Sequence, residues 1–231
     1  MVLQRIRHFA DMIKFEHTIF ALPFAYLGAF LAQGSVPGTQ QLLWITLAMV
    51  GARTAAMALN RLIDRHIDAR NPRTSERALP KGILSTTEVW VYVAASWALL
   101  LIAAWNLNPL NQAVPLPVKL MPIAVLVLTI YSYTKRFTWL CHLVLGLALG
   151  LAPVGSWVGI TGRIEFPAIL LGIAVMTWVA GFDVIYACQD YEFDRQEGIF
   201  SIPAVFGLKN GLLVSSFLHI LTVIFLAVAA V

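Results

Sequence analysis

Of the chain's 231 residues, 59% are hydrophobic and only 12% are charged, with a mean hydropathy of +0.79. Soluble domains average about half apolar and about a quarter charged residues, so the composition excludes an ordinary soluble domain and identifies an integral membrane protein. The net charge of +4 is spread between hydrophobic runs, which excludes a nucleic-acid surface. Cys141 and Cys188 lie far apart in apolar segments, as buried thiols acting as small hydrophobes and not as a disulfide framework.

A membrane span needs about 20 largely apolar residues. Such runs predict seven helices, over 17–33, 41–60, 88–106, 117–134, 140–160, 166–187 and 211–231. The fold class is therefore all-α, a multi-span transmembrane bundle forming one integral-membrane domain over residues 1–231. The first run follows Arg5 and Arg7 and precedes Ala32-Gln33-Gly34-Ser35, as a signal peptide does. Its length, its Pro23 and the spans that follow favour a retained helix. Turn-rich breaks at 33–38, 106–117 and 161–163 separate successive runs. Gly146-x₃-Gly150 permits close helix approach, and Pro153 and Gly155 predict a kink in the same span. The last run stops at Val231 with no closing polar anchor, which predicts that further helices follow in the full-length protein.

Thirteen of the sixteen Lys and Arg residues fall on alternate connections; Lys119 and Arg163 lie opposite, and Arg53 is inside the second span. The positive-inside rule then puts the N-terminus and both acidic motifs in the cytoplasm. The first motif closes the second span and contains Asn60, Asp64 and Asp68, at i, i+4 and i+8 on one helical stripe. The second closes the sixth and contains Asp183, Tyr186, Asp190 and Asp194 on nearly one face.

Carboxylates packed at a membrane boundary repel one another unless cations neutralise them. Mg²⁺ typically uses one or two carboxylates plus substrate phosphates, so Asn60, Asp64, Asp68, Asp190 and Asp194 read as a diphosphate-handling metal site. An amphiphile with an apolar tail and an anionic head, such as a polyprenyl diphosphate, fits that setting. Arg73, Arg77, Lys81, Lys135 and Arg136 are the candidate contacts to its oxygens, although topology signalling alone also accounts for charges there. Trp178, Phe182 and Tyr186 offer ring faces to a carbocation, or simply pack. His17, His66, His142 and His219 show no ligand spacing and read as packing or interface residues.

Four ordered motifs carry a resemblance: Asn60-x₃-Asp64-x₃-Asp68; Arg73-Thr74-x₂-Arg77-x₂-Pro80-x-Gly82; Tyr131-x₃-Lys135-Arg136; and Asp183-x₂-Tyr186-x₃-Asp190-x₃-Asp194. Together they resemble the UbiA superfamily of intramembrane prenyltransferases over essentially the whole chain. The resemblance implies nine spans around a central cavity that opens laterally to lipid. It also implies Mg²⁺-dependent transfer of a polyprenyl group to a ring carbon of a hydroxylated aromatic acid in quinone biosynthesis, at the inner membrane. Within the superfamily the chain looks like the 4-hydroxybenzoate polyprenyltransferase group. Its segments Lys14–Pro23 and Gly51–Met57 resemble the MqnP-like menaquinone branch, whose acceptor is a dihydroxynaphthoate; Arg61 and Ala78 depart from the ubiquinone branch. On this reading Asp183 and Tyr186 are catalytic, with Asp183 accepting a proton. Arg53, with Asn60, binds the aromatic acceptor, unless Arg53 pairs with Asp183 or another acid. The alternatives are an ion-coupled transporter, or a relative acting on haem or a glycerol lipid.

Overall fold

A computed structural model describes residues 2–14 and 16–229. Phe15 of the opening motif, the side chain of His17, and residues 230–231 of the last predicted span lie outside the described residues. The chain forms α1 (Val2–Ile13), α2 (Glu16–Gln33), α3 (Thr39–Arg70), α4 (Thr86–Asn106), α5 (Leu116–Thr134) and α6 (Cys141–Thr161). It continues with α7 (Phe166–Ala187), a 3₁₀ turn (Cys188–Asp190), α8 (Tyr191–Glu197), α9 (Ile202–Phe206) and α10 (Leu208–Ala229). The described residues contain no strand.

Six of these helices are long and apolar enough to cross a membrane. The seventh predicted span falls in α2, whose described apolar stretch includes Ala21–Gln33. Hydropathy also stopped the second span too early. α3 runs on to Arg70, and 32 residues at about 1.5 Å each exceed the roughly 30 Å hydrocarbon core. Its last turns therefore stand clear of the apolar layer, and the first acidic motif lies on a continuous helix. α1, which the hydropathy runs missed, is amphipathic. It seats Phe9, Met12 and Ile13 against Ala58, Leu59 and Leu62 of α3 and Val89 and Val93 of α4.

Helices pack along their lengths, α3 on α4, α6 on α7 and α7 on α10 as antiparallel neighbours, and α2 on α6 in parallel, with Gly28 against Pro153. The predicted close approach is present between α6 and α7. A Cβ at Gly146 would overlap the carbonyl of Met176, and one at Gly150 would overlap that of Gly172. Pro153 is accommodated within a continuous α6. Both cysteines are free, and both are partly exposed where burial was expected.

Candidate active site

Two layers of polar groups descend from the ends of α3, α5 and α7 toward an apolar cavity in the bundle. Outermost are the acids and their cations. Asp64, 3% exposed at its side chain, lies 2.6 Å from Lys135 Nζ and accepts a bond of 2.9 Å from Arg136. Asp68 accepts from Arg77 at 2.7 Å. Asp190 is held by Arg73 through two parallel bonds, 2.9 Å from Nε and 2.5 Å from Nη2, and by Asn71 Nδ2 at 3.2 Å. The bond to Asp190 raises the Arg73 pKa above its ordinary value, so the guanidinium stays charged. Arg70 reaches Glu197 at 2.7 Å and ties the end of α3 to α8.

These pairs bring the two motifs together. The charge of Lys135 reaches Asp190 and Asp194 as well as Asp64. Unneutralised carboxylates gathered this way would repel one another, and these cations offset that repulsion. Among the described residues no three His, Cys, Asp or Glu side chains converge as a ready-made metal cage.

Two expectations change in detail. The acids from Asp183 to Asp194 do not share one helical face, because the chain tightens into the 3₁₀ turn before α8. Asp194 is therefore turned inward, 8% exposed, and accepts from Ser201 Oγ at 2.8 Å. Lys81 pairs with the exposed Glu76 and touches neither motif. His66 is exposed on the opposite side of α3 from Asp64 and Asp68.

The inner layer orients the outer one. Asn60 Nδ2 donates to Asp64 at 3.0 Å and to Ser132 Oγ at 3.2 Å, while its Oδ1 accepts from Arg61 Nη1 at 3.0 Å. Arg61 also donates to the carbonyl of Met12, so it fixes both α1 and Asn60. Tyr131 donates its hydroxyl to the carbonyl of Ala56 at 3.2 Å. Asp183 is paired with His142 at 2.7 Å. Tyr186 stacks in a ladder with Phe182 and Trp178, at centroid separations of 6.4 and 6.2 Å, and the Arg73 guanidinium lies 5.5 Å from the Tyr186 ring.

Below lies an apolar cavity of about 290 Å³, walled by α2 through α6, with Phe24, Met49, Leu128 and Leu149 in its lining. Arg53 and Tyr131 supply polar groups to it. Arg53 makes no ion pair with Asp183 or any other acid among the described residues, and its buried Nε has no hydrogen-bond partner.

Sequence reasoning missed His142, Asn71, Ser132 and Ser201 as partners of the motif residues. For His142 a signal existed. Near the start of the sixth predicted segment's preceding neighbour, it lies at the same depth as Asp183 near the end of the next span, and an ionisable pair at matched depth in a hairpin is worth testing as a contact.

The UbiA prenyltransferase family model matches residues 21–231. The chain belongs to the UbiA prenyltransferase family. The 4-hydroxybenzoate octaprenyltransferase of Actinobacillus pleuropneumoniae serotype 3 (strain JL03) is 28% identical over 95% of this chain and 74% of its own length. The apo structure of a UbiA homolog from Aeropyrum pernix K1 is 38% identical, with a TM-score of 0.81, over 91% of this chain and 77% of that one. A UbiA homolog from Archaeoglobus fulgidus bound to DMAPP and Mg²⁺ is 26% identical, with a TM-score of 0.75, over 96% of this chain and 77% of that one. The UbiA chain described here is thus an all-helical, multi-pass membrane protein of a prenyltransferase family.

Proposed function

We propose that this UbiA family member transfers a polyprenyl group from a polyprenyl diphosphate to a ring carbon of a hydroxylated aromatic acid, 4-hydroxybenzoate or a dihydroxynaphthoate. The observation that carries the reading is the pairing of two acidic motifs with four cations directly above an apolar cavity that holds one unpaired arginine. The relative's 4-hydroxybenzoate octaprenyltransferase name and the DMAPP and Mg²⁺ bound by the Archaeoglobus homolog support it.

The donor set of Asp64, Asp68, Asp190 and Asp194 is oxygen only, which suits Mg²⁺, a hard cation. Asn60, with its amide engaged by Arg61 and Asp64, orients Asp64. Mg²⁺, when bound, supplies charge neutralisation that makes diphosphate a better leaving group. Arg73, Arg77, Lys135 and Arg136 stand on the acids and can exchange carboxylate oxygens for diphosphate oxygens with little movement; Arg73, with its fork geometry, suits bidentate contact.

As the allylic C–O bond ionises, the electron pair leaves with diphosphate, and the ring faces of Tyr186, Phe182 and Trp178 flank the cation. Arg53 pairs with the acceptor carboxylate, the anion that its buried, partnerless Nε lacks. The ring attacks beside its hydroxyl to form the new C–C bond, and Asp183 accepts the released proton. The single membrane domain sits in the inner membrane with its acids at the cytoplasmic face, in line with the distribution of Lys and Arg.

The test is prenyl transfer by the full-length protein in lipid, with 4-hydroxybenzoate and 1,4-dihydroxy-6-naphthoate offered in parallel, with Mg²⁺ or EDTA. Metal-dependent product on one acceptor is the expected result and chooses between them. No product on either, from folded protein, would remove the reading.

A further inference from the structure

His142 is 2% exposed and joins three elements. Its Nδ1 lies 2.7 Å from Asp183 Oδ2 on α7, and its Nε2 lies 3.1 Å from the backbone nitrogen of Ile202, the first residue of α9. A backbone N–H only donates, so Nε2 must offer its lone pair there, and the ring proton must sit on Nδ1. Nδ1–H therefore donates to Asp183. The imidazole is held in one tautomer by a main-chain group that cannot change its role.

The segment that fixes this tautomer is itself anchored. Phe200 N donates to the carbonyl of Lys135 at 2.7 Å. Ser201, the N-cap of α9, donates to Asp194 at 2.8 Å. The same stretch of chain thus touches Lys135, Asp194 and, through His142, Asp183. Asp183 keeps a side chain 30% exposed, with only its Oδ2 engaged among the described residues. One turn along α6 from His142, Leu145 lines the apolar cavity.

We propose that His142 is the positioning residue for proton removal: it holds Asp183 as a carboxylate with Oδ1 open to the acceptor ring. The inference rests on the prenyl-transfer reading. In the step it serves, the arenium C–H bond breaks, its electron pair returns to the ring, and the proton passes to Asp183 Oδ1, which later releases it to water. The imidazole neither gains nor loses a proton; it fixes the carboxylate's rotamer and occupies its other oxygen.

The experiment compares wild type, His142→Phe and His142→Asn in full-length protein, with 4-hydroxybenzoate or the dihydroxynaphthoate as acceptor, in ring-protonated and ring-deuterated forms. Phe fills the space without a hydrogen bond, while the Asn amide retains an N–H close to the Nδ1 position and gives up the bond to Ile202. His142→Phe is expected to lower kcat roughly 10- to 100-fold with little change in KM for the polyprenyl diphosphate. It should also reveal a primary isotope effect, because proton removal becomes slow. His142→Asn should restore much of kcat. Equal kcat in all three overturns the proposal while leaving prenyl transfer intact. So does a loss in both variants that tracks a fall in melting temperature, without an isotope effect. If His142→Phe does not fold, His142→Gln takes its place, its amide oxygen keeping the bond from Ile202 while Asp183 loses its partner: a lowered kcat with an isotope effect supports positioning, and wild-type kcat without one overturns it. Absence of metal-dependent product from wild type removes the prenyl-transfer reading and this inference with it.

Discussion

Arg73 and Asp190, 117 residues apart, meet through two parallel hydrogen bonds. That pair closes the connection after the first acidic motif onto the second, and Asn71 reinforces it from the same connection. A planar guanidinium fits this geometry as an ammonium cannot. Arg73→Lys should therefore raise KM for the polyprenyl diphosphate about tenfold, equivalent to about 1.4 kcal/mol, and Arg73→Ala should raise it further. Steady-state kinetics with the acceptor held saturating would check both.

Asp190→Asn keeps the side-chain shape and removes the charge. Turnover should fall by about 100-fold or more, because a leaving diphosphate depends on charge neutralisation. Folding should survive, since the Asn amide oxygen can still accept from Arg73 and Asn71 at this partly exposed site on the 3₁₀ turn. Activity beside a size-exclusion profile in detergent measures both; full activity in the variant would remove Asp190 from the metal set.

Lys81 provides the internal control. It stands on Glu76 at the surface, and exposed ion pairs contribute roughly 0–1 kcal/mol. Lys81→Ala should change kcat/KM by no more than about twofold, whereas Lys135→Ala, which strips a cation from the buried Asp64, should cost about tenfold or more. Parallel kinetics of the two variants would expose a mistaken division of the basic residues.

Much of the architecture was legible because the bilayer imposes a simple rule: long apolar runs become helices. The limits lay where that rule ends. Apolar runs located α3 only to Asn60, since the helix beyond it is held by groups that hydropathy counts as breaks, such as Asn60 on Asp64 and Arg136 on Asp64. The residues of both acidic motifs were readable from i, i+4 spacing. Their partners were not, because Lys135 meets Asp64, and His142 meets Asp183, only through tertiary packing. The 3₁₀ turn at Cys188–Asp190 was likewise invisible to a spacing argument that assumes one uninterrupted helix.

The close contact of α6 and α7 sets the depth at which His142 meets Asp183, so packing there supports the site. Gly146→Leu should destabilise by about 1–3 kcal/mol through overpacking, because any Cβ there meets the Met176 carbonyl. Gly155→Ala, with open space at its Cβ, should be neutral or slightly stabilising, by at most about 0.5–1 kcal/mol. Melting temperatures in detergent would separate the two.

Joint action of the two acidic motifs on a metal-bound diphosphate is the core of the proposed function. Its most direct test is the affinity of the full-length protein for a polyprenyl diphosphate, measured with Mg²⁺ and with EDTA, in wild type, Asp64→Asn and Asp190→Asn. Tight binding that requires the metal, and that either substitution weakens about tenfold or more, is expected. Equal affinity in EDTA, or wild-type metal-dependent affinity in both variants, would contradict it.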